Sequence, residues 1–119
     1  MPTPTVLVVD DDPVILRLLE VTFELEGFVV LLAHDGAEGI KAARAQRPDL
    51  VITDLLMPGV SGPDVVAALK GDDATQGIPI IVLSTAAQAN APAVGADDNV
   101  TKPFEPLDLI ERANALLNR

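Results

Sequence analysis

Several short apolar segments of this chain stop abruptly at a polar residue, and this pattern strongly limits how the chain can fold. The residues at these stops are Asp10-Asp11-Asp12 after Val9, Asp54 after Thr53, Ser84 after Leu83, and Lys102-Pro103 after a shorter segment. If the segments are parallel strands of one sheet, their carboxyl ends share the edge at which open α/β sheets bind ligands. The sequence therefore predicts a cluster of carboxylates, a hydroxyl and an ammonium, which suits a divalent metal ion and a phosphoryl group.

Apolar segments of four to six residues alternate with longer segments of helical character, which is typical of βα units around a parallel sheet. The predicted strands are residues 5–9, 28–32, 50–53, 80–83 and 99–101, and helices are expected after Asp12 and over residues 36–47, 63–70 and 106–117. The third and fourth strands are apolar at consecutive positions, so helices must cover both faces of the sheet. We therefore expect an α/β fold with a doubly wound five-stranded parallel sheet.

Two of the helical segments carry specific signals for where a helix begins, ends or is interrupted. Asp12 is expected to cap the first helix, with Pro13 in its first turn and Gly27 at its end. Its predicted apolar face comprises Val14, Ile15, Leu18, Leu19 and Thr22. In the segment 85–96, Asn90 and Pro92 interrupt a helical pattern, so the fourth helix is expected to be short or irregular.

Composition limits the function classes. The length of 119 residues is typical of one domain, so residues 1–119 are expected to form a single domain. The net charge is -10 without any cluster of Lys or Arg, which argues against direct nucleic-acid binding. The apolar segments are too short for membrane spans, and the N-terminus lacks the features of a signal peptide. The absence of cysteine excludes disulfides and is consistent with a cytoplasmic location.

Together these residues resemble the receiver domain of bacterial two-component response regulators, from about Thr5 to Leu117. The matching motifs are Asp10-Asp11, Asp54, Met57-Pro58-Gly59 with Gly62, Ser84, Gly95-Ala96-Asp97-Asp98 and Lys102-Pro103-Phe104. The resemblance implies a flavodoxin-like receiver fold with strand order 2-1-3-4-5 and five helices. It also implies a signalling switch that acts in a phosphorelay.

The resemblance further implies a role for each residue of the site. Asp54 would be the phosphoacceptor, which takes a phosphoryl group from the phosphohistidine of a sensor histidine kinase or phosphotransfer protein. Mg²⁺, or Mn²⁺ in its place, would be held by Asp10, Asp11, Asp54 and the backbone carbonyl of Leu56. Lys102 and Ser84 would bind phosphate oxygens, and the Lys102–Pro103 bond would be cis. The switched surface would act on a downstream effector domain or protein.

The chain departs from the family pattern in two places. Asn99 stands where the family usually carries Tyr or Phe, whose ring moves when the hydroxyl residue approaches the phosphate. Seventeen residues separate Ser84 from Lys102, which is about four fewer than usual, or roughly one helical turn. The first difference predicts altered coupling between phosphorylation and the face made by the fourth helix, the fifth strand and the fifth helix, and the second predicts a shortened fourth helix.

Two other classes of function stay open at this point. The replaced aromatic and the short fourth segment would also fit an interaction module that works without phosphorylation. Asp10 and Asp12, two residues apart after a strand and followed by Val14, also fit an aspartate-nucleophile phosphatase of the haloacid dehalogenase type. Mg²⁺ binding and labelling of Asp54 would separate these alternatives from a receiver.

Overall fold

The alternating apolar and helical segments form successive strands and helices in the computed structural model, which describes residues 3–85 and 95–118. The strands are β1 (Thr5–Val9), β2 (Val29–Ala33), β3 (Leu50–Asp54), β4 (Ile80–Thr85) and β5 (Asp98–Lys102). The helices in these residues are α1 (Pro13–Leu25), α2 (Gly36–Gln46), α3 (Gly62–Lys70) and α4 (Pro106–Leu117). The expected short or irregular helix falls mainly on residues 86–94, which lie outside the described residues.

All five strands are parallel and lie in the order β2-β1-β3-β4-β5. This arrangement confirms the doubly wound sheet and the strand order that the resemblance implies. Val9 of β1 lies opposite Thr53, and Asp54 of β3 lies opposite Leu83. The carboxyl ends of the three central strands therefore lie side by side at one edge of the sheet.

Each face of the sheet has its own apolar core. On one face Val6 and Val8 of β1 pack with residues of α1 and α4, such as Leu19 and Leu109. On the other face Leu7 and Val9 pack with residues of α2 and α3, which include Ala43 and Val65. Alternate residues of a strand point to opposite faces, so these consecutive apolar positions require the two-sided cover that was predicted.

The predicted apolar face of α1 is wrong in part. The buried residues are Leu16, Leu19 and Phe23, whereas Val14 and Leu18 are 71% and 40% exposed. The helix carries a second apolar stripe, with Val21 and Leu25 also exposed, and both stripes fit a 3.6-residue repeat. The stripe that includes Phe23 packs in the core on one face of the sheet, where Phe23 contacts Phe28 edge-to-face with ring centroids 4.9 Å apart.

The strand ends also differ from the predictions by one or two residues. β2 begins after Phe28, because the amide of this residue donates to the carbonyl of Phe23 and closes the turn behind α1. Strands β3, β4 and β5 extend further than predicted, so that Asp54, Ser84 and Lys102 lie on the strands themselves. None of the helices in the described residues has the length and apolar character that a membrane span requires.

Candidate functional site

The carboxyl edge of the sheet collects the polar residues that the sequence singles out. Asp10 directly follows β1, Asp54 ends β3, and Lys102 ends β5. Because the strands are parallel, residues that are far apart along the chain meet at this edge. The structure therefore brings together side chains up to 92 positions apart, as in the contact between Lys102 and Asp10.

Three carboxylates form the centre of the site. Asp10, Asp11 and Asp54 each present an oxygen, and these oxygens all lie within 4.8 Å of one another. Asp10 is completely buried, Asp54 is partly buried and Asp11 is exposed. The amide of Asp12 donates to Asp10 Oδ1 over 2.9 Å, which holds the buried carboxylate in place. The cluster thus has a fixed inner side and an outer side that solvent reaches.

Lys102 is the cation of the cluster. Its Nζ donates to Asp54 Oδ1 over 3.1 Å and to Asp10 Oδ2 over 3.5 Å. The Lys102–Pro103 peptide bond is cis. One ammonium thus lies among three carboxylates, and the cluster keeps an excess of negative charge.

Burial and the neighbouring charges shift two pKa values. Burial, together with the neighbouring charge of Asp54, raises the pKa of Asp10 from 3.8 to about 6, although Asp12 and Lys102 act in the opposite direction. Burial lowers the pKa of Lys102, but its hydrogen bond to Asp54 and the charges of both carboxylates outweigh this effect and raise the pKa. Lys102 therefore stays protonated, and the ionised form of Asp10 is the unfavourable one.

The donor set fits a hard divalent cation. Mg²⁺ prefers carboxylate, carbonyl and water oxygens at about 2.0–2.1 Å, which puts opposite ligands about 4.2 Å apart. Oxygens within 4.8 Å of one another approach this spacing. In the described residues no protein donor contacts the carboxylate of Asp11, so it is available to an ion. A divalent ion would also offset the excess negative charge that Lys102 leaves.

The loop after β3 begins directly beyond Asp54 and carries Leu56 two residues later. The amide of Leu55 donates to the Leu83 carbonyl over 2.8 Å and to Asp54 Oδ1 over 3.0 Å, which fixes the start of the loop. Leu56 follows with a side chain that is 59% exposed. The resemblance implies that the carbonyl of Leu56 is a metal ligand. Because the Leu56 side chain is not packed in the core, it does not fix the position of this carbonyl.

Ser84 and Asn99 occupy different environments. Ser84 is buried and follows Leu83, the residue opposite Asp54, so it lies at the edge that carries the acidic cluster. Asn99 lies in β5 opposite Val82 and its side chain is exposed. The structure thus places Ser84 beside the site and Asn99 on an outer surface.

An apolar cavity next to the acidic cluster escaped sequence reasoning. It has a volume of about 410 Å³ and is lined by Ile15, Leu18, Thr85, Lys102, Pro103 and Phe104. The cavity thus lies between Leu18 of the exposed α1 stripe and Lys102, which donates to Asp54. The signal that could have found it is the second apolar stripe of α1, of which Val14 and Leu18 were expected to be part of the core.

Comparison with known sequences identifies a family and its longer members. The family model described as response regulator receiver domain matches residues 6–114. The DNA-binding response regulator MtrA of Mycolicibacterium smegmatis is 42% identical over 119 residues, which cover 96% of this chain and 50% of MtrA. The chain therefore spans about half the length of the curated relatives it matches.

Solved structures share the fold over nearly the whole chain. A protein of Chloroflexus aurantiacus J-10-fl, described as a candidate response regulator, matches with a TM-score of 0.93 and 31% identity, covering 99% of this chain and 100% of that one. The receiver domain of the sensor histidine kinase PA1611 from Pseudomonas aeruginosa PAO1 matches with a TM-score of 0.92 at 24% identity, covering 99% and 100%. That structure has a magnesium ion in its active-site cleft.

Proposed function

The chain belongs to the response regulator receiver domain family of two-component signalling, and on this basis we propose that Asp54 is its phosphoacceptor. The observation that carries the proposal is the cluster of Asp10, Asp11 and Asp54 oxygens within 4.8 Å, with Lys102 Nζ 3.1 Å from Asp54. Residues 1–119 act in this proposal as one receiver domain.

Asp54 is the carboxylate best suited to attack. Leu55 and Lys102 both donate to its Oδ1, which leaves Oδ2 without a protein donor among the described residues. In the proposed step Oδ2 attacks the phosphorus of a phosphohistidine on the partner, and a P–O bond forms. The P–N bond breaks, and its electron pair stays on the imidazole nitrogen.

Asp10, Asp11, Asp54 and the carbonyl of Leu56 would hold Mg²⁺. The bound ion would neutralise charge on the phosphoryl group as it approaches the carboxylates. Asp11 is the exposed member and would bind directly, whereas buried Asp10 would act mostly through water. Mn²⁺ takes similar oxygen ligands, so we expect it to replace Mg²⁺.

Lys102 and Ser84 would stabilise the phosphorylated state. Lys102 already contacts Asp54, so its ammonium needs only a small movement to pair with an oxygen of the transferred phosphate. Ser84 lies one residue beyond the strand partner of Asp54, and its hydroxyl would donate to another phosphate oxygen. The movement of Lys102 away from Asp10 and of Ser84 toward the phosphate would signal phosphorylation to β5 and β4.

The exposed stripe of α1 is the surface that we assign to the phosphodonor. Val14 and Leu18 are exposed beside the cavity that Lys102 lines, so an apolar partner surface seated there would bring its phosphohistidine close to Asp54. We propose that this partner is a histidine kinase or a phosphotransfer protein. A small phosphodonor such as acetyl phosphate would not need this surface.

The output belongs to a separate effector in this proposal. MtrA is a DNA-binding response regulator about twice as long as the matched region, whereas this chain has a net charge of -10. A surface with this charge repels a phosphate backbone, so DNA binding would require another domain or protein. A cytoplasmic location, where kinases have ATP, completes the proposal.

Mass spectrometry of the intact chain after treatment with acetyl phosphate and Mg²⁺ tests the phosphoacceptor. We expect one phosphoryl group on the wild-type chain and none on Asp54→Ala. A calorimetric Mg²⁺ titration of the wild-type chain and of Asp11→Ala tests the metal site. Equal labelling of Asp54→Ala would refute the assignment, and a chain that neither binds Mg²⁺ nor becomes labelled would act as an interaction module independent of phosphorylation.

A further inference from the structure

The loop between β3 and α3 is anchored by a very close glycine contact at its far end. The amide of Gly62 donates to the carbonyl of Leu55 over 2.9 Å, which closes the loop on itself. A Cβ atom on Gly62 would lie 2.3 Å from the carbonyl oxygen of Asp54, so only glycine permits this approach. The loop that carries Leu56 is therefore tied to the strand that carries the phosphoacceptor.

A second glycine, from another helix, contacts the middle of the same loop. A Cβ atom on Gly36, the first residue of α2, would lie 2.4 Å from the carbonyl oxygen of Val60 and 2.8 Å from its Cβ. The closest neighbour is a backbone atom, which cannot rotate away as a side chain can. An alanine at this position would therefore have to push the loop away from α2.

Helix α2 forms a firm support for this contact. Asp35 caps the helix by accepting a hydrogen bond from the amide of Glu38 over 2.7 Å. Three residues after Gly36, Gly39 lies so close to β1 that a Cβ atom would be 2.7 Å from a methyl group of Val9. Because the helix is fixed against the sheet, the loop rather than the helix would move.

From this packing we propose that Gly36 positions the β3–α3 loop so that the carbonyl of Leu56 reaches the metal ion. Leu56 has a largely exposed side chain, so its place is set by the rest of the loop, in which Leu55 and Met57 are buried and Val60 lies against Gly36. Gly36 thus acts through the loop and touches no reacting group. The inference rests on the proposed function and adds a positioning residue to it.

Calorimetric Mg²⁺ titration of Gly36→Ala tests the inference, with two glycine variants as matched controls. We expect Gly36→Ala to weaken Mg²⁺ binding about tenfold or more, because residues that orient metal ligands typically have effects of this size. Gly39→Ala introduces a clash of similar size in the same helix, but against side-chain methyl groups of Val9. Gly77→Ala meets nothing within 4 Å and reports the effect of an added methyl group alone.

The thermal midpoints of the metal-free variants separate positioning from stability. We expect Gly36→Ala and Gly39→Ala to lower the midpoint, with only Gly36→Ala losing Mg²⁺ affinity. An equal loss in Gly39→Ala, or unchanged affinity in Gly36→Ala, would overturn the inference. If Gly36→Ala does not fold, Val60→Ala is titrated instead, because it removes the Cγ1 methyl group that lies against Gly36. Weaker Mg²⁺ binding by Val60→Ala would support the inference, and unchanged affinity would overturn it.

The wild-type chain and Asp11→Ala separate the failure of this inference from the failure of the proposed function. Mg²⁺ binding that Asp11→Ala abolishes but Gly36→Ala preserves would remove only the role of Gly36. A wild-type chain that does not bind Mg²⁺ would remove the metal site itself.

Discussion

Two lysine–aspartate clusters lie at opposite ends of the sheet and differ in how completely their charges are matched. At the amino end, Lys70 Nζ donates to Asp97 Oδ2 over 2.9 Å and to the carbonyls of Ile78 and Gln76 over 3.0 and 3.4 Å. The same Asp97 oxygen accepts the amide of Ile80 over 2.8 Å. At the carboxyl end, a single Lys102 is shared between Asp54 and Asp10, with Asp11 nearby.

The difference shows why similar residues serve different purposes. The ammonium of Lys70 has three donors, and the structure provides an acceptor for each of them. That cluster is closed and joins α3 to the start of β4 and β5. The carboxyl-end cluster has more negative than positive charge, so it can gain a cation and exchange partners. Full pairing of donors and acceptors in the amino-end cluster stabilises the fold. Excess negative charge in the carboxyl-end cluster favours binding of a cation and exchange of partners.

The largest effect is expected from a substitution that breaks the carboxyl-end cluster. Lys102→Met should slow the labelling of Asp54 by acetyl phosphate about 10²-fold, because a charged donor to the reacting group is lost. Time-resolved mass spectrometry at saturating Mg²⁺ measures the rate. Mg²⁺ affinity should not decrease, since the substitution removes a competing positive charge. An unchanged labelling rate would show that Lys102 does not act on the phosphoryl group.

A substitution that breaks the amino-end cluster should lower the stability of the fold and leave the labelling of Asp54 unchanged. Lys70→Met removes a partly buried partner of Asp97 and should lower the free energy of unfolding by about 2 kcal/mol. Urea denaturation measures this change, and the labelling rate of Asp54 should stay at its wild-type value. Slower labelling in folded Lys70→Met would mean that the two ends of the sheet are coupled, contrary to the division that the hydrogen bonds indicate.

The raised pKa of Asp10 gives a third test of the contrast. Between pH 3.8 and about 6 the folded chain holds a proton on Asp10 that the unfolded chain has lost, so this residue destabilises the fold increasingly as pH rises through that window. At pH 7 and without metal, Asp10→Asn should therefore be more stable than wild type by about 1 to 2 kcal/mol, since part of the gain is lost with the Lys102 contact.

Thermal melts at pH 7 and pH 5 measure this effect. The stability difference between Asp10→Asn and wild type should narrow at pH 5, where Asp10 is mostly protonated in the folded state. Added Mg²⁺ should stabilise wild type more than the variant. A difference that is the same at both pH values would indicate that burial of the charge is not its cause.

The sequence predicted the carboxyl-end cluster much better than the amino-end cluster. Asp54 and Ser84 each follow an apolar run within a strand, and this local pattern is enough to place them at one edge once the sheet is parallel. Lys70 and Asp97 lie 27 residues apart without a comparable pattern, so only the folded chain reveals their contact. Local periodicity likewise could not decide which stripe of α1 faces the sheet, because both stripes are apolar.

The smallest expected effect concerns α1, which runs from the carboxyl end of the sheet to the amino end. Its exposed apolar stripe therefore has residues near the carboxyl-end cluster and residues far from it. Leu18 lines the cavity beside Lys102, whereas Leu25 is 81% exposed at the far end of the helix. Leu18→Glu should slow transfer from a phosphorylated histidine kinase about fivefold, or about 1 kcal/mol, because a charge then enters an apolar contact. Labelling by acetyl phosphate should not change.

The control variant Leu25→Glu adds the same charge away from Asp54 and should leave both rates unchanged. Equal slowing by both variants would mean that the donor covers the whole stripe, and no slowing by either would place it elsewhere on the chain.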